Sequence, residues 1–327
     1  MHLHLEGAVR WSTIRELHPD GRHLPKTPPW LDGARPFPDF ADFRGVFRDF
    51  IRPVTARPEM IERHAFEVIE DLARLNVRYA ELIVSHDLYA RRGLTPETIW
   101  AALAAGRDRA CARYPVDARL VLGINRHNLP VQGLAVFDAV ASFAVARGWM
   151  HGVDLQGDER LGDHRQYLEL FRRAAGARLR LRAHAGELTG PTNVRAAVFD
   201  SGVRHISHGV RAVEDPALLK ELAASGAYLH VCPTSNVRIG CVPNLADHPL
   251  RALIDAGIRC TVNSDDPLLF GTTVLNEYRT LVCEMGFSRA EVAGLAKNGL
   301  HASLLPPERI SAFSVEIDTA VRQGAIA

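Results

Sequence analysis

The chain of 327 residues is 47% hydrophobic and balances 39 basic against 38 acidic residues, so it can bury a large core and carries no electrostatic footprint for nucleic acid or an anionic membrane. Its five cysteines, Cys111, Cys232, Cys241, Cys260 and Cys283, show no paired C-x-x-C spacing, which argues against a disulfide framework or a thiolate zinc site and fits a reducing cytoplasm. No apolar run reaches membrane-spanning length, since the richest, Ala135 to Ala146, contains Asp138, and charges near the N-terminus leave no signal-peptide core; the expectation is a cytoplasmic protein with a small-molecule partner.

In chain order, short β-branched runs alternate with longer helical patterns, as in βα units around a parallel sheet. Strands are expected at His2 to Leu5, Val77 to Val84, Ala118 to Ile124, Met150 to Leu155, Leu179 to Ala183, Val203 to Ile206, Ala227 to Val231 and Arg259 to Val262. Helical spacing falls at Pro58 to Leu75, Pro96 to Tyr114, Leu134 to Arg147, His164 to Ala175 and Pro216 to Ser225. Eight strand-helix repeats predict an α/β fold, a closed (β/α)8 TIM barrel spanning residues 1–327 as one domain, with its active site at the C-terminal ends of the strands. An irregular and helical excursion at about 19–60 follows strand one. Within it, Pro19 to Pro38 is dense in proline and glycine and is a candidate lid. Phe40, Phe43, Phe47 and Phe50 then form a stripe at helical spacing, for which core packing is the ordinary reading and a pocket wall the second.

Polar chemistry collects at the expected strand ends. His2 and His4, one residue apart on a strand, point to the same face and can share an ion. Asp154 to Glu159 follows strand four, His184-Ala185-Gly186-Glu187 strand five, Ser207-His208-Gly209 strand six, Cys232-Pro233-Thr234-Ser235-Asn236 strand seven, and Asp265-Asp266 strand eight. Each fragment has an ordinary reading: an H-x-H arises easily among 15 histidines, His184 and Glu187 suit a surface turn, and paired aspartates before proline commonly cap a helix. Their joint placement on one rim points instead to three histidines and a carboxylate converging on one zinc.

In order and approximate spacing these motifs, from His2-Leu3-His4-Leu5-Glu6-Gly7 to Asn263-Ser264-Asp265-Asp266-Pro267, resemble the adenosine deaminase family of metal-dependent hydrolases over nearly the whole chain. The resemblance implies an amidohydrolase-like barrel in which His2, His4, His184 and Asp265 hold one Zn2+ per chain. Zinc lowers the pKa of bound water from about 15.7 to about 7, making hydroxide available to attack carbon 6 of a 6-aminopurine. It further implies that Glu187 protonates N1, that His208 orients the nucleophile and shares in proton transfer, that the Gly157 N–H binds N3 and Asp266 N7, and that Glu6 meets the ribose 5′-hydroxyl. The products are a 6-oxopurine and ammonia.

Departures from the family pattern bear on the substrate. Well-known adenosine enzymes carry aspartate in place of Glu6, whereas relatives with glutamate include adenine and aminodeoxyfutalosine deaminases. Ser264 echoes the adenine-type branch, Ser207 stands where adenosine enzymes usually have glycine and adenine enzymes aspartate, and the Ala80 to Ser85 strand lacks the arginine many adenosine enzymes place near Ile83. The expected substrate is adenosine or an adenosine-like compound, with adenine or aminodeoxyfutalosine as alternatives and a purine-binding barrel without catalysis as the alternative of another class. Zinc deaminases of the cytidine type pair H-x-E with P-C-x-x-C, and only His4-Leu5-Glu6 has a counterpart here. Binuclear barrel hydrolases often bridge their metals with a modified lysine after strand four; no lysine lies between Lys26 and Lys220, which favours a mononuclear centre. His2 directly follows Met1, so either translation starts upstream or Met1 sits near the metal. Monomer and homodimer are both open.

Overall fold

Parallel pairing runs in strict chain order through β1 (Leu3–His4), β2 (Tyr79–Ser85), β3 (Asp117–Asn125), β4 (Gly152–Gln156), β5 (Arg180–Ala185), β6 (His205–His208), β7 (Tyr228–Val231) and β8 (Arg259–Val262) in the computed structural model, which describes residues 2–31, 37, 39–90 and 93–324. The sheet returns on itself. Leu3 bridges Asp265 in parallel, His4 N–H donates to Asp265 O at 2.9 Å, and Asp265 N–H donates to His2 O at 3.3 Å. The (β/α)8 barrel is thereby joined from its last strand to its first.

Side-chain alternation divides each strand between two environments. Leu82 and Val84 on β2, Val153 and Leu155 on β4, Ala183 and Ala185 on β5 and Leu229 and Val231 on β7 face outward into the apolar layer under the helices. The residues between them face inward, and many are polar: Glu81, Asp154, Arg182, Ser207 and His230 are all fully buried. They satisfy one another. Arg182 lies between Glu81 and Asp154, its Nε 3.2 Å from Asp154 Oδ2, and His230 Nδ1 lies 2.8 Å from Thr261 Oγ1. Helices Pro58–Arg74, Pro96–Arg113, Pro130–Ala144 and Pro216–Ser225 each begin at a proline, whose fixed φ and missing N–H suit a first helical position. The last helix, Pro307–Arg322, packs Ile310, Phe313 and Ile317 near Tyr79 at the opposite end of the barrel from the site. Among the described residues no helix is long and apolar enough to cross a membrane.

Every expected strand is present with its ends within two residues of the reading, and two differences bear on the site. β1 is shorter than His2 to Leu5, and β6 lies at His205–His208 rather than Val203 to Ile206. The apolar run stops at Ile206, but Ser207 pairs with His184 in the β5–β6 register and its hydroxyl is hydrogen-bonded inside the barrel. The excursion after β1 contains turns at Gly21–His23 and Pro29–Leu31, a helix Phe40–Val46 capped by the Asp39 carboxylate, a wider π-helical turn Phe47–Ile51, and a turn Arg52–Thr55. Part of the expected lid, residues 32–36 and 38, lies outside the described residues, as does Met1. The phenylalanine stripe serves both readings: Phe50 packs on Trp11 and Trp30, Phe43 stacks 5.9 Å from Phe270, and Phe40, Phe43 and Phe47 also wall a cavity.

The Glu81–Arg182–Asp154 chain yields a stability prediction. Arg182→Leu removes the charge that two buried carboxylates share, leaving Glu81 to Arg180 at 3.2 Å and Asp154 to His184, and is expected to cost about 3 kcal/mol in chemical denaturation. The double change Glu81→Leu/Arg182→Leu should recover part of that loss, because one of the uncompensated charges is gone.

Candidate active site

The seam between β8 and β1 gathers the expected ligands. His2 Nε2 is 2.8 Å and His4 Nε2 3.3 Å from Asp265 Oδ1, and His4 Nε2 is 3.2 Å from His184 Nε2. A tetrahedral centre with nitrogen and oxygen bonds of about 2.0–2.1 Å places its donors roughly 3.3 Å apart, so these spacings fit one small cation. Donor atoms of His2, His184, His208 and Asp265 also lie within 4.8 Å of one another, as do those of His4, Asp265 and Asp266. His208 stands on the far side of Asp265, its Nε2 3.9 Å from Oδ2 and 3.4 Å from Glu187 Oε1.

The surrounding hydrogen bonds aim lone pairs at that centre. His184 Nδ1–H donates to Asp154 Oδ1 at 2.8 Å, and His2 Nδ1 meets the Ser207 hydroxyl at 2.7 Å while that hydroxyl donates to Asp154 Oδ2 at 3.1 Å. With both Nδ1 atoms engaged as donors, both Nε2 atoms are left to bind a metal. Ser235 Oγ donates to Asp265 Oδ2 at 2.6 Å, and His2 N–H donates to Asn263 Oδ1 at 3.0 Å, tying the first ligand to the end of β8. Burial acts to raise the Asp154 pKa, but His184 and Arg182 hold it well below the usual carboxylate range, so it stays an anionic orienter. Burial lowers the His2 pKa well below normal and keeps it neutral. At His4 burial is outweighed by Asp266 and Asp265, which lift the pKa to about 10; the protein's own field there favours positive charge, as a cation site requires. Backbone strain falls on the same residues: His208 and Asp265 have φ of 66° and 59°, left-handed values that non-glycine residues adopt rarely.

The remaining expected residues divide. Glu187 is buried, and burial reinforced by Asp265 and Glu159 pushes its carboxyl well above the usual range. Asp266 is likewise raised by burial and by Asp265, against His4, and its Oδ1 is buried without a hydrogen-bond partner at the cavity wall. Room for it comes from Gly7, where a Cβ would fall 1.7 Å from Oδ1. Gly157, at φ 92°, lines the cavity where a Cβ would come 2.5 Å from Asn125 Oδ1. Glu6 is fully buried and does not line the cavity; its carboxylate accepts from Ser85 N–H at 3.1 Å and Tyr89 Oη at 2.7 Å, and Ser85 is what faces the cavity there.

Several supporting residues carry roles that motif reading did not assign. Asp154, Ser207, Ser235 and Asn236 lie inside the quoted motifs but gain their roles only from contacts across the barrel. Glu159 accepts from the backbone N–H groups of Gly186, Glu187 and Leu188, each at 2.8 Å, and so fixes the loop that carries Glu187. An acidic residue followed, some distance on, by a glycine-containing loop was the available signal, and it is a weak one.

A parallel barrel with histidines and aspartates gathered at its C-terminal rim defines a metal-dependent hydrolase of the amidohydrolase type. Residues 1–320 match the adenosine deaminase family, and the chain belongs to it as a hydrolytic aminohydrolase. It is 36% identical to an adenine deaminase of Rhizobium leguminosarum bv. trifolii, covering 94% of each chain. It is 34% identical to an adenosine deaminase of Erwinia tasmaniensis, covering 97% of this chain and 96% of the other. It is 33% identical to an aminodeoxyfutalosine deaminase of Streptomyces avermitilis, covering 98% and 89%. Among solved structures it is similar to adenine deaminase from Arthrobacter aurescens, at TM-score 0.87 and 28% identity over 98% of both chains. It is also similar to an amidohydrolase from B. ambifaria with bound Zn, at TM-score 0.86 and 25% identity over 100% and 92%.

Asp154→Asn should leave the fold intact but weaken metal retention about 10–100-fold, because the hydrogen bond that orients His184 loses its charge. Competition with a chelator, followed by metal analysis, measures the change.

Proposed function

We propose that this enzyme is a zinc-dependent deaminase of a 6-aminopurine nucleoside, with His2, His4, His184 and Asp265 holding one zinc per chain. The observation that supports it most is the facing pair of buried groups, a carboxyl displaced toward its acid form at Glu187 and a neutral imidazole at His208, 3.4 Å apart beside the ligand cluster. When bound, zinc would lower the pKa of water toward 7 and so supply a nucleophile at neutral pH. The chain's own residues account for the rest. Glu187 carries the proton that N1 receives as carbon 6 becomes tetrahedral, and a raised pKa keeps that proton in place at working pH. Burial pushes His208 down to about 4, so its ring is neutral. The Asn236 amide donates to its Nδ1 at 3.1 Å, which leaves Nε2–H to orient the attacking oxygen. Asp266, its carboxyl displaced toward the acid form by burial and one oxygen unpaired, faces N7, and the Gly157 N–H meets N3. Collapse of the tetrahedral centre releases ammonia and leaves a 6-oxopurine.

The cavity has room for a nucleoside as well as the free base. The cavity holds about 400 Å³, within the roughly 300–1,000 Å³ of sites that enclose drug-sized ligands, and it continues past Ser85, Asp87 and Asn125 to the excursion helix. Adenine is the second reading, supported by the adenine deaminases among the relatives. Ranking kcat/KM for adenine, adenosine, 5′-methylthioadenosine and aminodeoxyfutalosine separates the two, with adenine expected last. A barrel that binds purines without turnover would fail this assay on every compound.

Glu187→Gln is expected to retain its metal by elemental analysis yet lose about 10²–10⁴-fold in kcat. The sign of its pH dependence follows from the raised pKa: the acid form is present below that pKa and lost above it, so kcat/KM should decline on the alkaline side. That limb should be missing from the residual activity of the variant.

A further inference from the structure

The cavity has a second end whose chemistry the purine reading does not use. Arg44, Arg48 and Arg52 recur every four residues through the Phe40–Val46 helix and the turns that follow, which places three guanidinium groups on one side. All three line the same cavity as Glu187, Asp265 and Asp266. Arg48 is engaged by Asp49 at 2.6 Å, but Arg44 and Arg52 have neither a carboxylate nor a hydrogen-bond partner among the described residues. Unpaired arginines occur elsewhere on the surface too; what distinguishes Arg44 and Arg52 is that they line the cavity that holds Glu187 and Asp266. Away from the metal-ligating end, Asp87 is the carboxylate lining the cavity, and it already accepts from the Asn128 amide. Phe40, Phe43 and Phe47 wall the space between, and apolar walls strengthen the field of unpaired charges in a concave site.

We infer that Arg44 and Arg52, with Arg48 beside them, bind an anionic group that the substrate carries beyond its purine and sugar, a carboxylate or a phosphate. Guanidinium forks match either oxyanion with two parallel N–H donors. The inference rests on the 6-aminopurine deaminase reading: the base enters toward Glu187 with its amine at the ligand cluster, and its substituent points back to the arginines at the mouth.

The test uses the zinc-loaded full chain and three substrates: adenosine, adenosine 5′-monophosphate, and a 5′-substituted adenosine ending in a carboxylate. One anionic compound should exceed adenosine in kcat/KM by about tenfold or more, an advantage that shrinks as salt rises. The double variant Arg44→Gln/Arg52→Gln should cut that anionic-to-neutral ratio by about tenfold or more. The better of the two anions identifies phosphate or carboxylate as the natural group. Adenosine equal to or better than both, or a ratio the double variant leaves unmoved, overturns the inference while the deaminase reading stands. If no purine is turned over, that reading fails instead. Calorimetric binding of the same three compounds to the parent and variant chains then decides the arginine face on its own: a preference for an anion that the variant abolishes supports it, and equal binding overturns it.

Discussion

The contact on which the site depends is the seam where β8 meets β1. His4 N–H bonds to Asp265 O, and the same pairing sets His2 and Asp265 side by side. Two histidines supplied by the start of the chain and one carboxylate supplied some 260 residues later become neighbours only because the sheet closes there. The left-handed backbone at Asp265 turns its carboxylate into the mouth, and the bonds on both sides of the seam hold that strained conformation in place.

Below the seam, the barrel interior is an ordered sequence of buried charges rather than a uniformly apolar filling. Arg182 balances Glu81 and Asp154, Asp154 orients His184 and takes the Ser207 proton, and Ser207 receives His2. Every carboxylate in this chain of contacts is matched, so it remains ionised and rigid. Glu187 and Asp266 stand at the mouth beside imidazoles rather than a guanidinium, and burial there shifts both toward their acid forms, at Asp266 against the neighbouring His4. The same side-chain chemistry thus divides into ionised carboxylates below and carboxyls displaced toward the acid form above, according to which of them a guanidinium reaches.

The mouth has a different origin. Its wall comes from the excursion between β1 and the first long helix, whose Phe37, Val46, Ile51 and Val54 bury against Leu269 and Phe270 after β8. This small second core fixes the Phe40–Val46 helix over the barrel, so its phenylalanines and arginines face the cavity while the ligands come from the strands. The rim histidines and aspartates and the aromatic wall therefore come from separate elements, the strands and the excursion, in a family that includes relatives named adenine, adenosine and aminodeoxyfutalosine deaminase.

The sequence by itself determined the eight-fold strand-helix repeat, because alternation and helical spacing are local and survive without knowledge of partners. It also picked out the residues that gather at the rim, since the H-x-H pair, the His184 and Glu187 turn and the paired aspartates keep their chemistry wherever they are read. It placed β6 two residues early, because the apolar run ends at Ile206 and only the interior hydrogen bond of Ser207 shows that the polar residues beyond it still pair. Glu6 reads in sequence as a substrate contact, yet its carboxylate faces Tyr89 and Ser85 behind the cavity wall. What only the tertiary structure decided was the matching of buried charges, the hold of Glu159 on the Glu187 loop, and the arginine face opposite the metal-ligating end. Those depend on which residues meet across the barrel and over its mouth, and separations of tens to hundreds of residues leave no periodic trace in the chain.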